Sequence, residues 1–485
     1  MSDALGGSTR PPLPLPTSRS GEVAVIGLGA SGQAVTRLLR LHGHAVYASD
    51  ASSGDKAAAA AASLAALGAA TDAGTHDLAR IARAALVVAS PGVPPTAPPL
   101  QAAANAGVPV VGELDIALRA MPRLKYIAVT GTNGKTTTTA IIGHLLRALG
   151  HEAPDAGNIG TPLATYAAAD APPPWAALET SSFQLHDTPG INPTVGVVTN
   201  LSPDHLDRYP DIGTYYADKA RMFANAHDRS LWVLNADDAE VLRLHERLGS
   251  GAPLAGRVLL FSLHEHRGAD AFIRADGILE VFGAPLMPRA AFPLVGDHNV
   301  ANVLAAALSV MAADPAHRTP KGRKTIAAAL ESFRALPHRL EPVGEYGGVR
   351  WINDSKATNV ASTQVALDGM QQPTVVLLGG RHKGDPYTPL IPALKRCARL
   401  VIGYGEAAPI IEADLAQAVP FVRGGSSFVE VVAQARAAAQ PGDVVLLSPA
   451  CSSYDMFANY EARGAMFRQL AGDASTDRHD RPSAP

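Results

Sequence analysis

Cysteine is scarce: Cys397 and Cys451 are the 2 cysteines in 485 residues. Two cysteines exclude a disulfide framework and fit a reducing cytoplasm. Neither sign of charge dominates. There are 41 Lys and Arg against 44 Asp and Glu, a formal net charge of −3. A basic surplus that would suggest nucleic acid is missing, and so is the strong acidity of a disordered chain. Long apolar runs are also lacking. The Ala-rich stretch from Ala57 to Ala70 is broken by Ser63 and Gly68 and reads as a soluble helix, not a membrane span. Met1 to Ser20 is polar and Pro-rich with no apolar segment of the signal-peptide kind, so a disordered tail is expected there. The expectation is a cytoplasmic protein with no membrane insertion. Its length calls for roughly two to four domains.

What the chain does contain is a series of short apolar runs that end in Gly-rich turns and continue as helices. The most informative is KYIAVTGTNGKTTTTA, residues 125–140. Tyr126 to Val129 reads as a buried strand. Gly131 and Gly134 let the next turn curl, so that several N–H groups point at one anion. Lys135 supplies a mobile positive charge for outer phosphates, and the Thr136 hydroxyl is placed to ligand magnesium. Strand, tight loop and helix N-terminus are the parts of a phosphate-binding loop. This one is shortened to Gly131-x-x-Gly134-Lys135-Thr136, which points to a particular group of ATP-using proteins. A second Gly-rich turn lies earlier. Val23 to Ile26 is a strand, Gly27, Gly29 and Gly32 form G-x-G-x-x-G, Ala34 to Leu41 reads as a helix, and Asp50 ends the following strand. This dinucleotide-type pattern fits NAD, and equally any nucleotide diphosphate, because a helix N-terminus recognises phosphate. A third strand, Ala85 to Ala89, runs into Ser90-Pro91-Gly92.

Other chemistry-bearing residues follow strand ends. Trp175 to Leu178 is a strand ending at Glu179, a carboxylate beside the phosphate loop of the kind that holds magnesium. Asn158 lies between two glycines in AGNIGTP. Val195 to Val198 leads into a loop with Asn200, Asp204, His205 and Asp207. Lys219 sits on the helix TYYADKARMFANA, where a surface lysine is the ordinary reading. Residues 251–292 suggest strands and a small hairpin. Asn299 and Asn302, one turn apart at a helix start, are ordinary capping residues that can also pair with a base edge. From about Pro337 a further strand–loop–helix alternation carries Arg339, Asp354, Thr358, Lys383, Ser453, Tyr454 and Tyr460. The tail after Gly472 is polar and expected to be disordered.

The segments GTNGKTTT, GNIG, LETSSFQL, NLSPDHLDRY, GDHNVANV, LPHRLE, NDSKATN, LLGGRHKG, LSPACSSYDMF and NYEARG together resemble the Mur ligases, in their D-glutamate-adding branch, over about residues 21–470. The resemblance implies an α/β fold of three domains: a Rossmann-like UDP-binding domain over 21–121, a central ATPase domain with a mixed sheet over 122–336, and a Rossmann-like amino-acid-binding domain over 337–472. It implies ATP-dependent joining of D-glutamate to UDP-N-acetylmuramoyl-L-alanine through an acyl phosphate, by a cytoplasmic monomer serving cell-wall synthesis. Catalytic roles fall on Lys135, Glu179, His205 and Lys219. Two magnesium ions are implied on Thr136, Glu179, His205 and Lys219, the last as a carbamate. Gly131, Thr132, Asn133, Gly134, Lys135, Thr136, Thr137, Asn299, Asn302, Arg339 and Asp354 match ATP contacts. Ala30, Ser31, Asp50, Ser90, Pro91, Gly92 and Asn158 match contacts to the UDP-substrate, which turns the G-x-G-x-x-G from NAD to a UDP-sugar. Thr358, Lys383, Ser453, Tyr454 and Tyr460 match contacts to D-glutamate. Ala51-Ser52 departs from a Thr-Arg pair of some relatives, and Tyr454 and Tyr460 replace more apolar residues. A folylpolyglutamate synthase-like enzyme, a nicotinamide-binding dehydrogenase and a non-catalytic homologue are the competing readings.

Overall fold

The computed structural model describes residues 10–11, 13–205, 208–249, 251–265, 268–294, 296–334 and 337–472. The expected tails over 1–9 and 473–485, and Asp207, lie outside them. Among the described residues the strands form three sheets. The first holds five parallel strands in the order Ala70–Ala73, Val46–Asp50, Val23–Ile26, Leu86–Ala89, Val110–Gly112. The second holds nine strands, ordered Ala284–Pro288, Ile278–Val281, Ala271–Ile273, Arg257–Ser262, Leu231–Asn235, Val195–Val198, Lys125–Thr130, Trp175–Glu179, Asp155–Gly157. It is parallel except at the hairpin of its first three strands. The third holds six, ordered Glu341–Tyr346, Val349–Asn353, Val444–Leu447, Thr374–Gly379, Ala398–Tyr404, Phe421–Arg423, antiparallel only at its first pair. The mixed α/β class is as expected.

The central strands of each sheet are continuous Val, Ile, Leu and Ala runs because helices cover both faces of a parallel sheet. Ile127, Ala128 and Val129 are fully buried, as are Val375, Val376 and Leu377. The described residues pack into two compact units, one drawn from the spans 1–201, 216–292 and 300–332 and the other from 202–215, 293–299 and 333–485. Among the described residues no helix is long and apolar enough to cross a membrane. Both cysteines are buried and free.

Three local expectations are corrected. The helix after the first Gly-rich turn starts at Ala30, because Gly29 itself takes the cap position. The Ala-rich helix runs only from Asp55 to Ala65. Gly68 turns at φ +81°, and Ala70 already belongs to a strand. The segment from Arg10 to Ser20 is not wholly a loose tail. Leu13 is buried, and Arg10 donates to the carbonyls of Ala167, Ala168 and Ala169 at 2.6, 2.9 and 2.6 Å. Those carbonyls end the helix Leu163–Ala167 and are short of intrahelical donors, which a guanidinium supplies. Polar composition hid this because the anchoring contacts lie far away in sequence.

Candidate functional site

The first unit carries two Gly-rich loops. In the first sheet, Val23–Ile26 is flanked by Val46–Asp50 on one side and Leu86–Ala89 on the other, so the direction of strand order reverses at its C-terminal end. Open α/β sheets bind ligands at such a point. The predicted residues converge there. Asp50 accepts the Leu28 N–H and the Ser52 N–H, both at 2.8 Å. Burial would raise its pKa, but these backbone bonds, the Ser52 hydroxyl and nearby His76 together hold the carboxyl below its ordinary value. Gly27 has φ +104°, and a Cβ there would lie 2.6 Å from the Ser90 Oγ, so the Ser90-Pro91-Gly92 turn abuts the loop. Ala30 and Ser31 open the helix above it.

The second loop follows Lys125–Thr130. Gly131 has φ +138° and Gly134 φ +80°, both poorly open to an L side chain. The next strand's exit buttresses the loop. Thr132 N–H donates to the Asn200 carbonyl at 2.8 Å, and Asn133 N–H to the Asn200 Oδ1 at 2.9 Å. Asn200 Nδ2 returns a bond to the Asn133 carbonyl at 3.0 Å, which also accepts from Thr199 Oγ1 at 2.7 Å. Asn302 braces the loop from beneath: its Oδ1 accepts from Thr138 Oγ1 at 3.2 Å and would lie 2.3 Å from a Cβ on Gly134. Its neighbour Asn299 falls in the second unit.

Two lysines meet this loop. Lys135 Nζ donates to the Thr132 carbonyl at 2.6 Å, and Lys219 Nζ to the Gly131 carbonyl at 2.7 Å. Lys219 is only 1% exposed, so the ordinary reading of a surface lysine is overturned. Both Nζ atoms thus sit on neighbouring carbonyls of one loop. Thr136 and Thr137 are buried in the first turn of the following helix. Glu179, 2% exposed, ends the adjacent strand. Its Oε1 accepts from Asn158 Nδ2 at 2.9 Å, and its carbonyl accepts the Asn158 N–H at 2.9 Å. The structure therefore joins two residues that sequence reading kept apart, one for the UDP-substrate and one for metal. Among the described residues no group of three or more His, Cys, Asp or Glu side chains could hold a metal. Glu179 and Thr136 are hard oxygen donors of the kind magnesium takes, so they suit one such ion.

The second unit carries the rest. His205 has φ +58°, its N–H accepted by Asp204 Oδ1 at 2.9 Å. Asp354 is buried, and burial pushes its carboxyl up to about 7 against the bonds it accepts from Ser448 Oγ and the Leu340 N–H. Arg339 lies in the turn that this acid holds, between His338 at φ +64° and Leu340 at φ +41°. Lys383 Nζ lies 3.5 Å from Thr358 Oγ1. Ser453 is buried, Tyr454 is 64% exposed, and Tyr460 opens the last helix with Lys356 Nζ 5.0 Å over its ring.

Sequence reading missed Arg463. It is completely buried, and its guanidinium donates to Ser355 Oγ at 2.9 Å and to the carbonyls of Ser355, Gly379 and Cys451 at 2.8 to 3.4 Å. One side chain thus ties together the three loops that bear Thr358, Lys383 and Ser453. The arginine within NYEARG was the available signal, but partners that are backbone carbonyls leave no trace in sequence.

Three family models match the chain: a Mur ligase MurD-like N-terminal domain over residues 21–112, a Mur ligase middle domain over 129–310 and a Mur ligase glutamate ligase domain over 338–451. The UDP-N-acetylmuramoylalanine--D-glutamate ligase of Anaeromyxobacter dehalogenans is 41% identical over 468 residues, covering 94% of this chain and 98% of its own. That of Acidobacterium capsulatum is 39% identical over 455 residues, covering 93% and 95%. Among solved structures, a pseudomurein peptide ligase type C from Methanothermus fervidus matches with a TM-score of 0.58 at 20% identity, covering 93% of this chain and 99% of its own. A MurF ligase from Thermotoga maritima, solved in complex with ADP, matches with a TM-score of 0.54 at 16% identity, covering 80% and 89%. At such identities the likeness concerns the fold.

Proposed function

The chain belongs to the Mur ligase family, and on that premise we propose that it joins D-glutamate to UDP-N-acetylmuramoyl-L-alanine with ATP, a step in making peptidoglycan precursor in the cytoplasm. The observation that carries this reading is identity near 40% along almost the whole of both chains with relatives named for that reaction. A domain division at 21–121, 122–336 and 337–472 accompanies it, with the UDP-substrate held by the first, ATP by the second and the amino acid by the third.

A carboxylate resists attack by an amine because it has no leaving group. ATP phosphorylates the substrate's carboxylate, the D-glutamate amine attacks the acyl phosphate, and phosphate leaves from the tetrahedral intermediate as the amide forms. The transferring phosphoryl group spreads charge over its oxygens, so fixed positive charge lowers the barrier. Lys135 supplies it at the loop, with the first-turn N–H groups of Thr136 and Thr137. Thr136 and Glu179 would hold magnesium, which adds positive charge against the phosphate oxygens. Lys219 deprotonated and carbamylated would offer oxygen in place of an ammonium that repels a cation, and with His205 would serve a second ion. Asn158, bonded to Glu179, orients the muramoyl-alanine end beside the loop. Asn299, Asn302, Arg339 and Asp354 serve the nucleotide. Thr358, Lys383, Ser453, Tyr454 and Tyr460 serve D-glutamate, with Lys383 as the cation a dicarboxylate needs.

Phosphate release from ATP with UDP-N-acetylmuramoyl-L-alanine, compared with D-glutamate, L-glutamate and no amino acid, tests this reading. Release that requires D-glutamate, with the amide product seen by mass, is expected. Release with none of the three would leave a homologue that does not catalyse this step. For Lys219, substitution by Ala should nearly abolish turnover and a short carboxylate such as acetate should restore part of it. No rescue, together with an unmodified lysine by mass, would remove the carbamate.

A further inference from the structure

We propose that Asp204, a residue given no role above, is a positioning residue of the amino-acid site, acting through Lys383. The inference rests on the D-glutamate reading. In the second unit Lys383 Nζ lies 3.9 Å from Asp204 Oδ1, with side-chain exposures of 14% and 7%. An ammonium that far from water is costly to keep charged unless an anion stands near it. Asp204 is that anion. Its other oxygen, Oδ2, accepts from Asn359 Nδ2 at 2.9 Å. Asn359 is fixed in turn, because its Oδ1 caps the helix Val360–Asp368 by accepting the Ser362 N–H at 2.8 Å. The acid is therefore anchored in the same turn that bears Thr358, on whose hydroxyl Lys383 also rests.

The geometry aims the cation and leaves it exchangeable. At 3.9 Å the pair is longer than a charge-assisted hydrogen bond, which closes to about 2.8 Å. A substrate carboxylate can thus take the short bond while Asp204 keeps the long one. Without Asp204 the flexible lysine stem would turn toward water, and binding would have to order it again.

Three variants test this: Asp204→Asn, Asn359→Ser, which keeps a capping oxygen but loses the amide Nδ2 that reaches Asp204, and Lys383→Met. Asp204→Asn should raise the KM for D-glutamate about tenfold, with the KM for ATP and for the UDP-substrate changed less than twofold; about tenfold corresponds to roughly 1.4 kcal/mol. Asn359→Ser should raise the D-glutamate KM by a smaller factor with the same selectivity. In the Lys383→Met background the further change of Asp204→Asn should be close to nil, because the route through Lys383 is gone. Equal rises in all three KM values, or full additivity of the two changes, would overturn the inference and leave Asp204 a purely structural acid. Wild-type turnover indifferent to D-glutamate would instead sink the parent reading, and this inference with it.

Discussion

The two Gly-rich loops of the first unit share a design and differ in what their glycines do. In the first, Gly32 is needed for close approach of main chain, since a Cβ there would lie 1.8 Å from the Gly27 carbonyl oxygen. In the second, Gly131 and Gly134 abut side chains: their added Cβ atoms would meet Thr199 Oγ1 at 2.1 Å and Asn302 Oδ1 at 2.3 Å. The first loop has an acid, Asp50, that locks its backbone and suits a neutral donor such as a ribose hydroxyl. The second has Lys135 on its own carbonyl at Thr132 and suits an anionic ligand. A glycine pattern thus marks where backbone packs closely, and the flanking side chains set the charge presented there.

The comparison is broken most sharply at Lys135. Lys135→Ala should lower turnover on the order of a hundred- to a thousandfold while leaving the Kd of the UDP-substrate unchanged. Near-native phosphate release would mean that the second loop holds phosphate no more actively than the first. Gly32→Ala acts on the other loop and should destabilise the fold by roughly 1 to 3 kcal/mol through overpacking against backbone, seen as a lower midpoint in urea. An unchanged midpoint would show that the close approach is not rigid.

Glu113, where the first sheet leads toward the second, sharpens the contrast by pH. It accepts the Ala164 N–H at 2.5 Å, and burial pushes its carboxyl from 4.5 up to about 7. The folded chain keeps that proton longer than the unfolded one. Its contribution is therefore full below pH 4.5, fades as pH rises through about 7, and is flat above. Glu113→Gln should flatten the fall in melting temperature across that window, and parallel curves for the two proteins would refute the assignment. The smallest effect is expected for Asp50→Asn, which weakens charge-assisted bonds to Leu28 and Ser52. The KM for the UDP-substrate should rise about fivefold, the worth of roughly 1 kcal/mol, with the KM for ATP unmoved. A rise in both would make Asp50 a support of the whole unit.

Much of this was legible along the chain. Strands ending in glycine announce themselves over ten residues, so both loops, Lys135 and Glu179 could be placed from local pattern and chemistry. The bond from Asn158 to Glu179 could not, because a strand pairing brings those residues together across 21 positions. Lys219 looked like any helical lysine, and its burial depends on packing against a loop 88 positions earlier. Asp204 read as one acid among several in a polar loop. Arg10 lay in a stretch whose composition suggested no order at all.

Arg463 has a consequence for motion. Its bonds reach Ser355, Gly379 and Cys451 from one buried guanidinium without a carboxylate among them. No one of the three loops can swing outward alone without stranding a charged donor in the interior. The three loops are tied to one group, so amide exchange along all of them is expected to follow a single cooperative event.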